Sequence, residues 1–189
     1  VSDINSLFLV ALGGNLPFGG QNVASNLVSA VLRLAEKGLR PRAISRFFAT
    51  PCFPPGAGPD YVNAAILAES TLPPAAVLAL LHEVEQEFGR ERQARWGARG
   101  LDLDLLACGQ RICPDPATQR RWIDLAPERR SREVPGALIL PHPRLQERAF
   151  VLGPLRDIYP DWQHPVLQQT VEQLYDSLPK ADIAAIRPL

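Results

Sequence analysis

A mixed α/β fold is predicted by three observations on this 189-residue chain. Apolar or alternating runs at 7–12, 42–49, 61–69 and 101–108 have the look of strands. Two stretches between them repeat apolar residues at helical spacing, and each of those stretches ends on a glycine. In order, the elements read β-α-β-β-α-β over residues 1–108, the split βαβ arrangement of a ferredoxin-like fold. The expected architecture is therefore α/β (α+β), a ferredoxin-like βαββαβ core in three α-β-α layers, with extra C-terminal helices.

Each element has a local cause. Residues 7–12, Leu-Phe-Leu-Val-Ala-Leu, form a buried strand, and Gly13-Gly14-Asn15 begins a loop reaching about Gly20. Val23, Leu27, Val31 and Leu34 then recur at helical spacing until Gly38. A strand at 42–49 leads into the breaker-rich loop Pro51-Cys52-Phe53-Pro54-Pro55-Gly56-Ala57-Gly58-Pro59. After the strand at 61–69, Thr71, Pro73 and Pro74 open a second helix. Its stripe is Val77, Leu81, Val84 and Phe88, closed by Gly89. An arginine-rich loop at 89–100 precedes the strand at 101–108. Residues 110–135 have little periodicity and read as an insertion or mobile loop within a single domain spanning 1–189. Leu138–Leu140 reads as a short strand, Pro141-His142-Pro143 as a rigid turn, and Arg148–Arg156 and Val166–Leu178 as helices.

Composition narrows the function classes. The formal net charge is zero, which gives no support to nucleic-acid or membrane-surface binding. No apolar run approaches the ~20 residues of a membrane span. Three cysteines, Cys52, Cys108 and Cys113, form no Cys-x-x-Cys pair. The expectation is a cytoplasmic protein with neither a disulfide framework nor a zinc site.

The chemistry concentrates in Leu101-Asp102-Leu103-Asp104-Leu105-Leu106. Strict alternation sends both carboxylates from one strand face, roughly 6–7 Å apart. At an effective dielectric of ~20 they repel by about 2–3 kcal/mol, so a cation between them is expected. Mg²⁺, which takes one or two carboxylates and completes its shell with water and phosphate, suits that gap. Arg90, Arg92, Arg95 and Arg99 stand just upstream as a landing place for triphosphate oxygens. Taken separately, each feature also has a plain reading: a strand with a wet side, and a solvated basic loop. The segment Gly13–Gly20 has neither a P-loop ending nor GxGxxG spacing. His142, held between two prolines, could donate to a phosphate, although a lone histidine in a turn also has a structural reading, and neither His82 nor His164 has a partner at metal-ligand spacing.

Four ordered segments carry a resemblance. They are Leu12-Gly13-Gly14-Asn15-Leu16, then Pro59-Asp60-Tyr61-Val62-Asn63-Ala64-Ala65, then Gly89 through Asp104, and Leu140-Pro141-His142-Pro143-Arg144-Leu145 running on to Arg148 and Phe150. Over roughly residues 7–160 the chain closely resembles 6-hydroxymethyl-7,8-dihydropterin pyrophosphokinase of folate biosynthesis. The resemblance implies an ATP-dependent diphosphokinase that moves pyrophosphate to the pterin hydroxymethyl group and releases AMP. It implies that Asp102 and Asp104 hold two Mg²⁺, that Arg90 and Arg99 neutralise the transferred phosphates, and that Arg92, Arg95, His142 and Arg148 contact ATP. His82, Glu85, Leu105 and Leu138 align with positions around the nucleotide. The pterin would stack between Tyr61 and Phe150, with Asn63 reading its amide edge, Thr50, Pro51 and Phe53 completing the wall, and Trp96 closing over the site. The partners implied are small molecules alone, with the protein a monomer or weak homodimer.

The chain departs from the family pattern at Ala98, Gly100 and Ala137, where proline, threonine and an ATP-contacting arginine are common. A lysine that some relatives carry between Arg92 and Arg95 is absent. The long 110–135 segment carries Arg111, Arg120, Arg121, Arg129, Arg130 and Arg132, one of which is expected to replace the missing basic contact. Two alternatives stay open on the sequence: a non-catalytic small-molecule-binding module on the same fold, and another Mg²⁺-dependent phosphoryl or nucleotidyl transferase.

Overall fold

The computed structural model describes residues 5–52, 58–89, 100–130 and 132–189. Its framework is an antiparallel sheet. Strand β1 (Ser6–Gly14) lies between β5 (Asp102–Cys108) and β4 (Tyr61–Ser70). Beyond β4 lie β2 (Arg40–Ile44) and β3 (Phe48–Thr50), and the short β6 (Arg187–Pro188) adds to β3. Helices α1 (Val23–Glu36) and α2 (Pro74–Glu87) cover one face. Helices α5 (Ala149–Ile158) and α6 (Val171–Asp176) cover the other, followed by α7 (Lys180–Ala185). The ferredoxin-like order and the three layers expected from the sequence are both present.

Alternation in the strands divides the interior. Phe8, Val10, Leu12, Ala64, Ile66, Leu103 and Leu105 meet Leu27, Leu34, Val77, Leu81 and Val84 from α1 and α2. Leu9, Ala65, Leu106 and Ala107 meet Val151, Leu152, Leu155, Trp162, Val171 and Leu174. α1 starts where the Asn22 side chain accepts a hydrogen bond from the Ser25 N–H at 2.9 Å, a capping arrangement that satisfies one of the helix's orphan amides. Proline at the first position of α2 costs no hydrogen bond, because that amide has no helical partner.

Several expectations are corrected. The single strand expected at 42–49 is two strands. At the break, the Ser45 Oγ accepts from the Ala65 N–H, and the Arg46 N–H leaves the sheet to donate to Asp157 at 3.1 Å. The loop expected from Gly13 begins later, since β1 runs through Gly14. Residues 110–135 are not structureless: they contain α3 (Pro116–Ile123), capped by Asp115, and α4 (Pro127–Arg130). Leu138–Leu140 makes no strand, only one bridge from Leu140 to Cys113. The last predicted helix begins at Val171 rather than 166. The amides of Val166 and Leu167 are taken by His164 Nδ1 in a turn, and Gln168 has a positive φ of 57°. Thr170 and Gln173 then start α6 through a capping box.

Candidate active site

Asp102 and Asp104 leave β5 on the side opposite buried Leu101, Leu103 and Leu105, and both are half-buried. β5 is a sheet edge, and its register sets Gly13 beside Asp102 and Ala11 beside Asp104. On β1's other side, Gly13 pairs with Asn63. Asp102, Asp104, Gly13, Ala11, Asn63 and Phe150 therefore line one cleft, next to Leu12. The shared face anticipated from the alternating sequence is present, and it lies on the side covered by α5.

Glycine is required where these strands crowd. A Cβ on Gly13 would come within 2.9 Å of Asn63 Oδ1, and one on Gly14 within 2.6 Å of the Gly100 carbonyl. The glycine pair thus lets Asn63 lie across β1 and lets the entry to β5 approach closely. Asn63 is buried, and its amide nitrogen donates to Thr50 Oγ1 at 2.8 Å. That bond orients the amide. Tyr61 sits opposite Thr50 in the β3–β4 register, and Asn15 donates to the Pro59 carbonyl at 3.3 Å, tying the glycine segment to the approach to Tyr61.

Arg148 and His142 close the other side. The Arg148 guanidinium donates to Asp104 at 3.2 Å and lies 5.6 Å from the centre of the Phe150 ring. Burial pushes the Arg148 guanidinium below its ordinary pKa, and neighbouring Asp104 opposes that shift. The His142 N–H donates to the Leu106 carbonyl of β5 at 2.7 Å. Burial drives its imidazole pKa down to about 4, with Asp104 pulling upward and Arg148 and Arg144 pushing downward. The ring is therefore neutral at pH 7. Its Nδ1 accepts from the Arg144 N–H at 3.2 Å, so the ring proton is carried on Nε2.

Other predicted residues lie apart from this cleft. Glu85 is buried on α2 and accepts from the Leu103 N–H at 2.8 Å, between the two aspartates along the strand. Leu105 is in the α1/α2 core, and Leu138 packs against that core. His82 is half-buried on α2 and Pro51 is exposed just past β3, whereas Phe150, in the cleft, is 40% exposed. Phe53, Arg90, Arg92, Arg95, Trp96 and Arg99 lie outside the described residues. In the 110–135 segment, Arg120 pairs with Asp124 at 3.2 Å, Arg129 pairs with Glu133 at 2.5 Å, and Arg121 lies over the Trp122 ring. Sequence reasoning missed two residues here. Gly13's role needs the cross-strand register, which no local pattern encodes. Gln119, fully buried on α3, was hidden because its segment read as a loop.

Among the described residues, no group of three or more His, Cys, Asp and Glu side chains is gathered to hold a metal. Asp102 and Asp104 instead offer two hard carboxylate donors on one strand edge. That donor set fits Mg²⁺, which leaves most of its shell to water and phosphate. No helix among the described residues is long and apolar enough to cross a membrane.

The family model for 7,8-dihydro-6-hydroxymethylpterin-pyrophosphokinase matches residues 9–160. The 2-amino-4-hydroxy-6-hydroxymethyldihydropteridine pyrophosphokinase of a Synechocystis species is 35% identical over 182 residues, covering 96% of this chain and 79% of the relative. The protein of the same name from Pseudomonas aeruginosa is 34% identical over 156 residues, 82% of each chain. Among solved structures, an HPPK-DHPS in complex with substrates superposes with a TM-score of 0.66 at 12% identity, over 98% of this chain and 46% of that one. A Plasmodium falciparum HPPK-DHPS triple mutant with pteroate gives 0.63 at 14% identity, over 92% and 43%. The chain thus spans less than half the length of those two structures, and the likeness to them concerns the fold.

Proposed function

Since the chain belongs to the 7,8-dihydro-6-hydroxymethylpterin-pyrophosphokinase family, we propose that the cleft beside Asp102 and Asp104 is where its reaction takes place. The enzyme transfers pyrophosphate from ATP to hydroxymethyldihydropterin in folate synthesis. Moving the two terminal phosphates together requires the hydroxyl oxygen to attack the β-phosphorus. The bond from that phosphorus to the α-phosphate oxygen breaks, and AMP leaves.

The residues divide by chemistry. Tyr61 and Phe150 sandwich the pterin, with Thr50, Pro51 and Phe53 as walls. A flat heterocycle gains most from aromatic faces plus a few directed polar groups. Asn63, its nitrogen engaged by Thr50, presents its oxygen to the donor edge of the ring. Asp102 and Asp104 hold two Mg²⁺. Bound there, the ions would neutralise triphosphate oxygens and acidify the attacking hydroxyl. Arg148, anchored on Asp104, and His142, with its proton on Nε2, donate to the phosphates. Arg90, Arg92, Arg95 and Arg99 supply the remaining positive charge, and Trp96 excludes water that would otherwise capture the pyrophosphoryl group.

Nucleotide contacts at β5 come from the backbone. The Leu103 N–H points outward to Glu85, and two residues on, Leu105 presents its own backbone at the same sheet edge. Its side chain stays in the core. Glu85 reaches that edge from α2, and His82 and Leu138 are assigned with it to the surroundings of the nucleotide. The whole chain acts as one pyrophosphokinase domain with 110–135 as an insertion. It is a cytoplasmic monomer or weak homodimer with no nucleic-acid partner.

The common face of Asp102, Asp104, Asn63 and Phe150 carries this reading. The test is product identity with ATP, Mg²⁺ and 6-hydroxymethyl-7,8-dihydropterin. AMP is the expected product. ADP would make the protein an ordinary kinase, and no turnover would leave a binding module.

A further inference from the structure

The geometry points to Gln119, in the insertion, as a positioning residue that fixes the peptide leading into His142 and so aims that histidine at ATP. The inference rests on the reading of His142 as a nucleotide contact. It starts from one peptide unit. The Pro141 carbonyl accepts a hydrogen bond from Gln119 Nε2 at 3.1 Å. At the other end of the same peptide, the His142 N–H donates to the Leu106 carbonyl at 2.7 Å. One grip comes from α3, the other from the strand that bears the aspartates. A peptide held at both its oxygen and its nitrogen cannot rotate without breaking one of those bonds. Its plane therefore sets where His142 leaves the chain.

The insertion is built to deliver this contact. Its base is clamped by the reciprocal Cys113–Leu140 bonds of 2.9 and 3.1 Å, next to the peptide that Gln119 holds. α3 is initiated by Asp115, whose carboxylate accepts from the Thr118 N–H at 2.9 Å and the Thr118 hydroxyl at 2.7 Å. Gln119 is the buried residue of that helix, with no exposed surface.

Packing alone does not account for a glutamine here. Its Oε1 is buried and finds no partner among the described residues. A lone buried amide oxygen costs stability that methionine, of similar length, would not incur. What methionine lacks is the donor to Pro141.

The test compares Gln119→Met with the wild-type enzyme at saturating pterin and at saturating ATP. The expected result is an ATP KM raised about tenfold, with kcat and the pterin KM within about twofold. By NMR, the His142 ring signal moves while the His164 signal stays. A second variant, Asp115→Ala, removes the exposed cap of α3 without touching the core. It is expected to raise the ATP KM in the same direction by about threefold. His142→Ala serves as the reference. If it raises the ATP KM while Gln119→Met leaves both that KM and the His142 signal unchanged, the inference fails and the nucleotide reading stands. If His142→Ala also leaves the ATP KM unchanged, the nucleotide reading fails and takes the inference with it. Should Gln119→Met not fold, an unaltered ATP KM in Asp115→Ala overturns the inference.

Discussion

On the face covered by α1 and α2, strands β1, β4 and β5 send Phe8, Leu12, Ala64, Ile66, Leu103 and Leu105 into hydrocarbon. On the other face the same strands send Gly13, Asn63, Asp102 and Asp104 into the cleft, and only their far halves supply core residues such as Leu9, Ala65 and Leu106. The difference teaches how an edge strand can hold two like charges side by side. Every second residue anchors it in a largely apolar layer, so the strand's place in the sheet does not depend on the carboxylates. Glu85 strengthens the anchor from behind by accepting the outward Leu103 amide.

The comparison breaks most sharply at the aspartates. Asp102→Ala and Asp104→Ala are each expected to cut kcat by about a thousandfold or more, the scale of losing a principal electrostatic stabiliser. Melting temperatures should stay close to the wild type. Near-normal turnover in both variants would refute the metal role. Leu103→Ala is the mirror image. Truncating a leucine that is 2% exposed should cost about 3 kcal/mol in urea unfolding. The folded fraction should keep most of its turnover, because no reacting group is removed.

A third contrast uses pH on the α5/α6 face, away from the cleft. His164 is fully buried against Trp162, and burial lowers its pKa to about 4. The unfolded value is about 6.5. Its contribution is therefore complete above about pH 6.5 and is lost as pH falls toward 4, a loss of about 3 kcal/mol. His164→Asn keeps an acceptor for the Val166 and Leu167 amides but does not titrate. Its unfolding free energy should fall less steeply over that pH window than the wild type's, and an unchanged slope would exclude His164 as the cause. The finest contrast is Gly13→Ala. The new methyl meets Asn63 Oδ1 and should raise the pterin KM about tenfold with the ATP KM unchanged. Equal rises in both would mean that Asn63 does not address the pterin.

Much of this was legible in the chain because it follows from period and punctuation. The Leu-Asp-Leu-Asp alternation placed both carboxylates on one face, and Gly38 and Gly89 marked helix ends. Gly13 and Gly14 were visible as glycines, but their purpose depends on Asn63 and Gly100, which arrive from other strands. The break at Ser45–Phe47 comes from Asp157, distant in sequence, capturing an amide that a local reading assigns to the sheet. α3 escaped detection because a helix with a single buried residue has almost no apolar stripe to display. The same is true of Gln119, whose polarity reads as exposure until Pro141 is seen above it.

The clamp at Cys113 and Leu140 has a practical corollary. A segment that departs and returns through one rung is joined to the rest of the molecule much as a side loop is, so its outer reaches can change length at small entropic expense. A reporter peptide threaded between Pro135 and Gly136, both exposed, would ride on the enzyme without disturbing catalysis. It would offer an optical handle on the outer edge of that segment.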